Sequence, residues 1–188
     1  MKSSNIDLKT AYRFLYPRFT VIVSSGSLSS PNALAIAWST PLSVDPPLIG
    51  VLISSKRYSH EIIRKEKCFV VNIPHFKLVE KTHYIGRISG REEPDKIERA
   101  GFTLEASSKI SAPRIKECKI NLECELTDII TTGDHDMFVG EIIEIAVDSA
   151  IQDNWSYDPA KFQAVYWRQS KFSSDVYRLK VLNEEDST

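Results

Sequence analysis

The chain has 188 residues, 24 Lys plus Arg against 25 Asp plus Glu, and 42% hydrophobic residues, a profile expected of one soluble globular domain with ample material for a core. A formal net charge of -1 supplies none of the overall attraction that a nucleic-acid binder or a protein adsorbed on an anionic membrane needs. The longest apolar stretches, such as Leu48 to Ile53, fall far short of the ~20 residues of a spanning helix. The polar N-terminus, MKSSNIDLKTAYRF, has no apolar centre of the signal-peptide kind, so a cytoplasmic location is expected.

No repeat, low-complexity tract or Gly/Ser linker divides the chain, so a single domain is expected over residues 1–188, its core at about 15–170. The first ten residues and the tail from Asn183 to Thr188 are polar enough to be loose. In chain order, extended segments are predicted at Phe19 to Ser24, Leu34 to Trp38, Leu48 to Ser54 and Phe69 to Ile73. Short helices are predicted at Ser59 to Lys67, Phe76 to Ile85 and Pro94 to Ala100, the last stopped by Gly101.

Strands follow at Lys116 to Ile130, Met137 to Val147 and Phe162 to Trp167. From Cys118 to Leu126 apolar and polar residues alternate strictly, which predicts a half-buried strand with Lys119, Asn121, Glu123 and Glu125 on the wet face. The link from Thr132 to Asp136, TGDHD, reads as a hairpin tip. Long consecutive strands with few short helices predict a mainly β chain, a closed antiparallel barrel with helical insertions. Cys68, Cys118 and Cys124 are an odd count without CxxC spacing and read as small buried hydrophobes rather than disulfides or metal ligands.

Two segments carry candidate chemistry. In Ser54-Ser55-Lys56-Arg57-Tyr58-Ser59 an apolar strand empties into a helix N-terminus. With Ser59 as N-cap, unpartnered first-turn amides and two cations, the junction has the parts of a phosphate site. An ordinary capped helix with two solvated basic residues fits the same residues. In Asn32 to Leu48, NALAIAWSTPLSVDPPL, small residues leave room for a flat ligand, and Asn32, Ser39 and Thr40 can bond its polar edges. A small-residue strand with Trp38 in the core is the alternative there.

Taken together, Asn32, WSTPLSVDPPL from Trp38 to Leu48, Arg57-Tyr58-Ser59, FVVNIP from Phe69 to Pro74, Ser89-Gly90 with Asp95-Lys96, and Gly133-Asp134-His135 before Phe138-Val139-Gly140-Glu141 resemble the flavin reductase-like FMN-binding split-barrel family, in its flavoredoxin-like branch. The resemblance implies a split antiparallel β-barrel, a homodimer, and one FMN held without a covalent bond. It places the phosphate and ribityl chain around Ser54, Ser55, Arg57, Tyr58 and Ser59, and the flavin ring along Asn32 and Trp38 to Thr40, including Ser39. Ser89 and Gly90 match a turn beside the pocket, Arg91 sits where a second basic group could reach the phosphate or an incoming cofactor, and His135 matches a hairpin tip aimed at the flavin. Ala35 and Ala37 stand where relatives commonly carry hydroxyl residues.

The resemblance implies an NAD(P)H-dependent flavin oxidoreductase, with NADH or NADPH as transient donor and His135 contacting the nicotinamide or the reduced flavin. A flavoredoxin-type electron carrier reduced by an iron-sulfur partner is the alternative, and a non-enzymatic barrel a third. His135 serving only to stabilise its hairpin also fits the sequence. His60, His75 and His83 are scattered and read as structural or exposed.

Overall fold

The computed structural model of the chain describes residues 6–153, 156–168 and 171–173; residues 1–5 and 183–188 of the ends expected to be loose lie outside the described residues. A 3-10 turn at Leu8–Leu15 precedes β1 (Arg18–Phe19), β2 (Val21–Ser27), β3 (Ser30–Ile36), β4 (Ser39–Ser43) and β5 (Leu48–Ser54). Helix α1 (Tyr58–Glu66) leads to β6 (Cys68–Ile73), and a 3-10 turn at Phe76–Leu78 to α2 (Val79–Arg87) and α3 (Lys96–Arg99). Two short strands, β7 (Leu104–Glu105) and β8 (Arg114–Ile115), precede the long hairpin of β9 (Ile120–Thr131) and β10 (His135–Val147). The chain closes with β11 (Gln152–Asp153), β12 (Ser156–Tyr157), β13 (Tyr166–Arg168) and β14 (Lys171–Ser173). Among the described residues no helix is long and apolar enough to cross a membrane.

Seven strands form one antiparallel sheet in the order β3-β2-β6-β9-β10-β5-β4. The sheet curls until β3 also meets β5, giving the split barrel that the strand content predicts. Strand side chains alternate between faces. Val21 and Val23 therefore turn inward to join Val51, Ile53, Phe69, Val71, Cys124 and Phe138, while Ile22 turns outward to a second core with Ile85, Ile97, Phe102 and Ile115 under α2 and α3. Burial on both faces explains why this strand reads as a continuous apolar run.

Two local expectations are corrected. Asn121 and Glu123, assigned to a wet face, are buried. Glu123 is 0% exposed because the chain around residues 107–115 covers it, with its carboxylate accepting the amides of Ser108 and Lys109 at 2.8 Å each and facing Arg114. Paired this way, a buried carboxylate avoids the cost of an isolated charge. Second, Ser59 is not the N-cap of α1: Arg57 holds that position in extended conformation with no side-chain cap bond, and Ser59 lies buried in the first turn.

The hairpin tip forms as predicted. Gly133 has φ +113°, and Thr132 donates from both its amide and its hydroxyl to the carbonyl of His135. This turn positions His135 at the first residue of β10, in register with Ser54 at the last residue of β5.

Candidate functional site

Where β5 ends, the N-terminal turn, the stretch after β3, one face of α2 and the hairpin tip enclose a cleft of about 940 Å³. Trp38 is its central aromatic. The indole Nε1 donates to the Tyr16 hydroxyl at 3.1 Å, Tyr12 meets the ring edge-on at 5.7 Å, and the His135 ring lies 4.9 Å away, tilted by 39°. His135 Nδ1 is 2.8 Å from Asp134 Oδ1, and this contact holds the exposed Asp134 carboxyl below the usual carboxylate range. A proton on Nδ1 satisfies that bond and leaves Nε2 available to a ligand.

A second cluster surrounds the start of α1. The Arg57 amide donates to the Ser54 carbonyl at 2.9 Å, and both residues line the cleft. Behind them Asn32, 2% exposed, donates from Nδ2 to the Ser59 hydroxyl at 2.7 Å. Its Oδ1 is buried without a partner among the described residues. Gly90 closes over this oxygen so tightly that a Cβ there would collide with it, and Tyr58 flanks the same spot.

Lys96 completes the cluster. Its ammonium is buried, donating to the carbonyl of Ile88 at 2.8 Å and more weakly to that of Ile85 at 3.4 Å, at the end of α2. Burial, reinforced by the nearby Arg57 charge, pushes its pKa from 10.5 down to about 8. Among the described residues neither Lys96 nor Arg57 is ion-paired with a carboxylate. Two adjacent cations without a counter-charge at a helix start are a receptor for an anion.

Of the residues expected at the site, Trp38, Ser54, Arg57 and His135 line the cleft. Asn32, Tyr58, Ser59 and Gly90 form the packed layer around α1. Ser89 holds the following turn by accepting the Arg91 amide at 3.3 Å. Ser55 is exposed, and Ser39 and Thr40 lie on β4, opposite Val51 and Gly50; none of the three borders the cleft. Arg91 pairs with Glu61 and sits over the Tyr58 ring at 5.0 Å, away from the cleft wall.

A flat heteroaromatic ligand carrying a phosphate fits this arrangement: an aromatic wall and the Arg57 cation line the cleft, and the Lys96 ammonium lies buried near Arg57. The family model described as the flavin reductase like domain matches residues 12–174. The chain belongs to the flavin reductase-like family. This is a flavoprotein family of oxidoreductases.

Among its flavin reductase-like relatives is an uncharacterized protein of Archaeoglobus fulgidus, 40% identical over 140 residues, 74% of this chain and 78% of the relative. The NADH:riboflavin 5'-phosphate oxidoreductase of Streptomyces pristinaespiralis is 27% identical over 128 residues, 68% of this chain and 64% of that protein. Flavoredoxin from Methanosarcina acetivorans shares the fold with a TM-score of 0.82 at 24% identity, covering 100% of this chain and 97% of its own. The FMN-binding protein of Thermus thermophilus, solved with bound 1-cyclohex-2-enone, gives a TM-score of 0.82 at 25% identity over 92% of this chain and 95% of its own.

Several cleft residues carry no signal that sequence reasoning used. Lys9, Tyr12 and Tyr16 lie in or beside a turn expected to be loose or unassigned, and Thr82, His83, Gly86 and Arg87 share one face of α2. The i, i+4 spacing of His83 and Arg87 was available as a clue. Lys96 lay within the matching pattern of this flavin reductase-like chain without a role attached to it.

Proposed function

We propose that the protein binds FMN in the cleft and catalyses NAD(P)H-dependent flavin reduction. The observation that carries this reading is the pairing, in one cleft, of the Arg57 cation, with the buried Lys96 ammonium close behind it, with the Trp38–His135 aromatic wall. The names of the Streptomyces oxidoreductase and the Thermus FMN-binding protein support it.

In this reading Arg57 and Lys96 hold the phosphate by charge-assisted contacts. Asn32, bonded to Ser59, fixes the first turn of α1 behind Arg57, and Trp38 limits the space over the ring and excludes water from one side. His135, oriented by Asp134, holds a proton at Nδ1 and presents Nε2 to the donor or to the charge that accumulates on reduction. Bound FMN supplies the hydride-accepting chemistry, which no side chain of the chain provides. A homodimer is part of the same proposal, and sedimentation equilibrium checks it.

The test is the absorbance spectrum of the purified protein before and after anaerobic NADH and then NADPH, with flavin released by heat assayed in the supernatant. Flavin bands that bleach on the timescale of turnover support the reading, and His135→Ala should retain FMN while slowing the bleaching. Flavin that stays oxidised with both nicotinamides but is reduced by a low-potential iron-sulfur protein assigns the chain to electron transfer instead. A protein that ignores added FMN overturns both.

A further inference from the structure

A buried polar pair behind the cleft plays no part in the reading above. His60, in the first turn of α1, and Asp136, the second residue of β10, meet at 2.8 Å between Nε2 and Oδ2, with side chains only 8% and 14% exposed. Neither borders the cleft. Strand side chains alternate between faces, so Asp136 shares the inner face with Phe138 while His135 points the other way. The fully buried Phe138 ring meets the His60 ring edge-on at 4.9 Å. Between a carboxylate and an aromatic ring, the imidazole of His60 is held in one place.

The pair completes a closed circuit of bonds. His135 stands opposite Ser54 in the β10–β5 ladder. The Ser54 carbonyl accepts the Arg57 amide at 2.9 Å, and the Arg57 carbonyl accepts the His60 amide at 3.0 Å. His60 then returns to Asp136, the neighbour of His135 in the chain. Ser54, Arg57 and His135 all line the cleft, so the circuit joins its cation to its imidazole. Asp136 is also where the paired residues of the β9–β10 ladder begin, opposite Thr131, whose side chain bonds the same carboxylate. The His60 bond therefore grips the hairpin at the base of the tip that carries His135.

Stability alone does not account for such a pair. Taking two polar groups out of water offsets most of their attraction, and an apolar pair of similar volume packed on Phe138 would serve a core as well. What a hydrogen bond adds is a defined distance and direction. Arg57 does not need that help, since its own turn bonds it to Ser54. His135 does, because it is the first residue of its strand and adjoins the tip around Gly133.

We propose that His60 and Asp136 are positioning residues for His135: their bond sets the place of the imidazole relative to Arg57, and through it the rate at which bound flavin reacts. The effect on rate rests on the reductase reading; the placement of His135 does not. A displacement of about 1 Å at a reacting group can cost about a hundredfold in rate, so loss of the bond slows flavin reduction by about tenfold or more while FMN affinity is nearly unchanged.

The test compares His60→Leu, which removes the bond, with His60→Gln, whose amide nitrogen can stand where Nε2 stands. In the free protein the Trp38 ring, 4.9 Å from that of His135, displaces the His135 ring-proton resonances, which a His135→Ala spectrum assigns. His60→Leu moves these resonances towards those of an exposed histidine and His60→Gln restores them; resonances unchanged in His60→Leu overturn the proposal. In a second arm, anaerobic bleaching of the FMN-loaded protein by NADH or NADPH slows about tenfold in His60→Leu. The same change made in His135→Ala brings no further slowing, because the pair acts through that residue. Equal slowing in both backgrounds marks a merely structural role, and that result or no slowing in either overturns the assignment. If neither nicotinamide bleaches the wild type, the reductase reading fails while the resonances still decide the placement. Should His60→Leu not fold, Asp136→Ala removes the same bond and carries both readouts.

Discussion

His60 Nε2 lies 2.8 Å from Asp136 Oδ2, so the first turn of α1 is fastened to the residue that follows His135 on β10. Both side chains are largely buried, and the His60 ring meets Phe138 edge-on at 4.9 Å. Because successive strand residues face opposite sides, His135 faces the cleft while Asp136 anchors the strand from behind. The pair thereby links the start of α1 to the strand that carries His135.

This linkage gives Asp136→Asn a defined pH signature. The His60 contact, aided by the Thr131 hydroxyl and opposed by burial, holds the Asp136 carboxyl below its ordinary value of 3.8. An acid with a depressed folded pKa contributes stability that is present above the unfolded value and lost as pH falls through the folded one. The wild type should therefore lose this contribution below about pH 4. Asp136→Asn should be less stable at pH 7 and show a shallower loss on acidification, read from urea midpoints at pH 7, 5 and 3; identical pH slopes would show that the pair contributes nothing.

On the proposed reading, Lys96 should make flavin binding sensitive to alkali. A phosphate beside the ammonium favours its charged form, so FMN affinity should be highest below its pKa of about 8 and decline above it, with proton uptake on binding near that pH. Without ligand the sign is opposite for stability. The folded pKa lies below the ordinary 10.5, so the unfolded chain binds more protons between these values and the free protein gains stability as pH rises from about 8 towards 10.5. Lys96→Met should abolish both trends and weaken FMN by about 1.5–3 kcal/mol. Calorimetry in two buffers of different ionisation enthalpy measures the uptake.

Gly90→Ala should act through Asn32. The added methyl meets Oδ1 of a side chain that is buried and tied to Ser59, so Asn32 must shift and that bond is strained or broken. A cost of about 1–3 kcal/mol in stability is expected for overpacking, together with weaker FMN binding in a flavin titration. Binding equal to wild type would remove the Asn32–Ser59 pair from the site.

Gly140→Ala tests the barrel core independently of the ligand. A Cβ there would stand 2.5 Å and 2.9 Å from two ring atoms of Phe69, a residue with no exposed surface. The ring has nowhere to retreat in a close-packed interior. Destabilisation of about 1–3 kcal/mol is expected, with FMN affinity of the folded protein unchanged. A thermal midpoint equal to wild type would contradict the packing described here.

The elements whose pattern is local were legible in the chain. Leu48–Ser54 reads as a strand to the residue because an unbroken apolar run is bounded by turn residues, and the hairpin tip is announced by Gly133. The alternation of β9 was misread on one face, since what covers Asn121 and Glu123 arrives from around residues 107–115 and leaves no mark on β9 itself. Ser59 looked like a cap because capping residues and helix starts coincide so often; its hydroxyl instead receives Asn32 from a distant strand. Tyr12, Tyr16, Arg87 and Trp167 reach the cleft only through tertiary packing. Residue type and short spacing carry no information about such meetings.

Trp38 and Trp167 border the same cleft at different points, one leaning on His135 and the other on His83. The protein is consequently its own optical probe. A flavin bound in the cleft as proposed would quench the emission of both indoles by energy transfer, over the background of Trp155. Emission spectra of Trp38→Phe and Trp167→Phe, each in a Trp155→Phe background, would let flavin arrival be followed from either side of the cleft without a label.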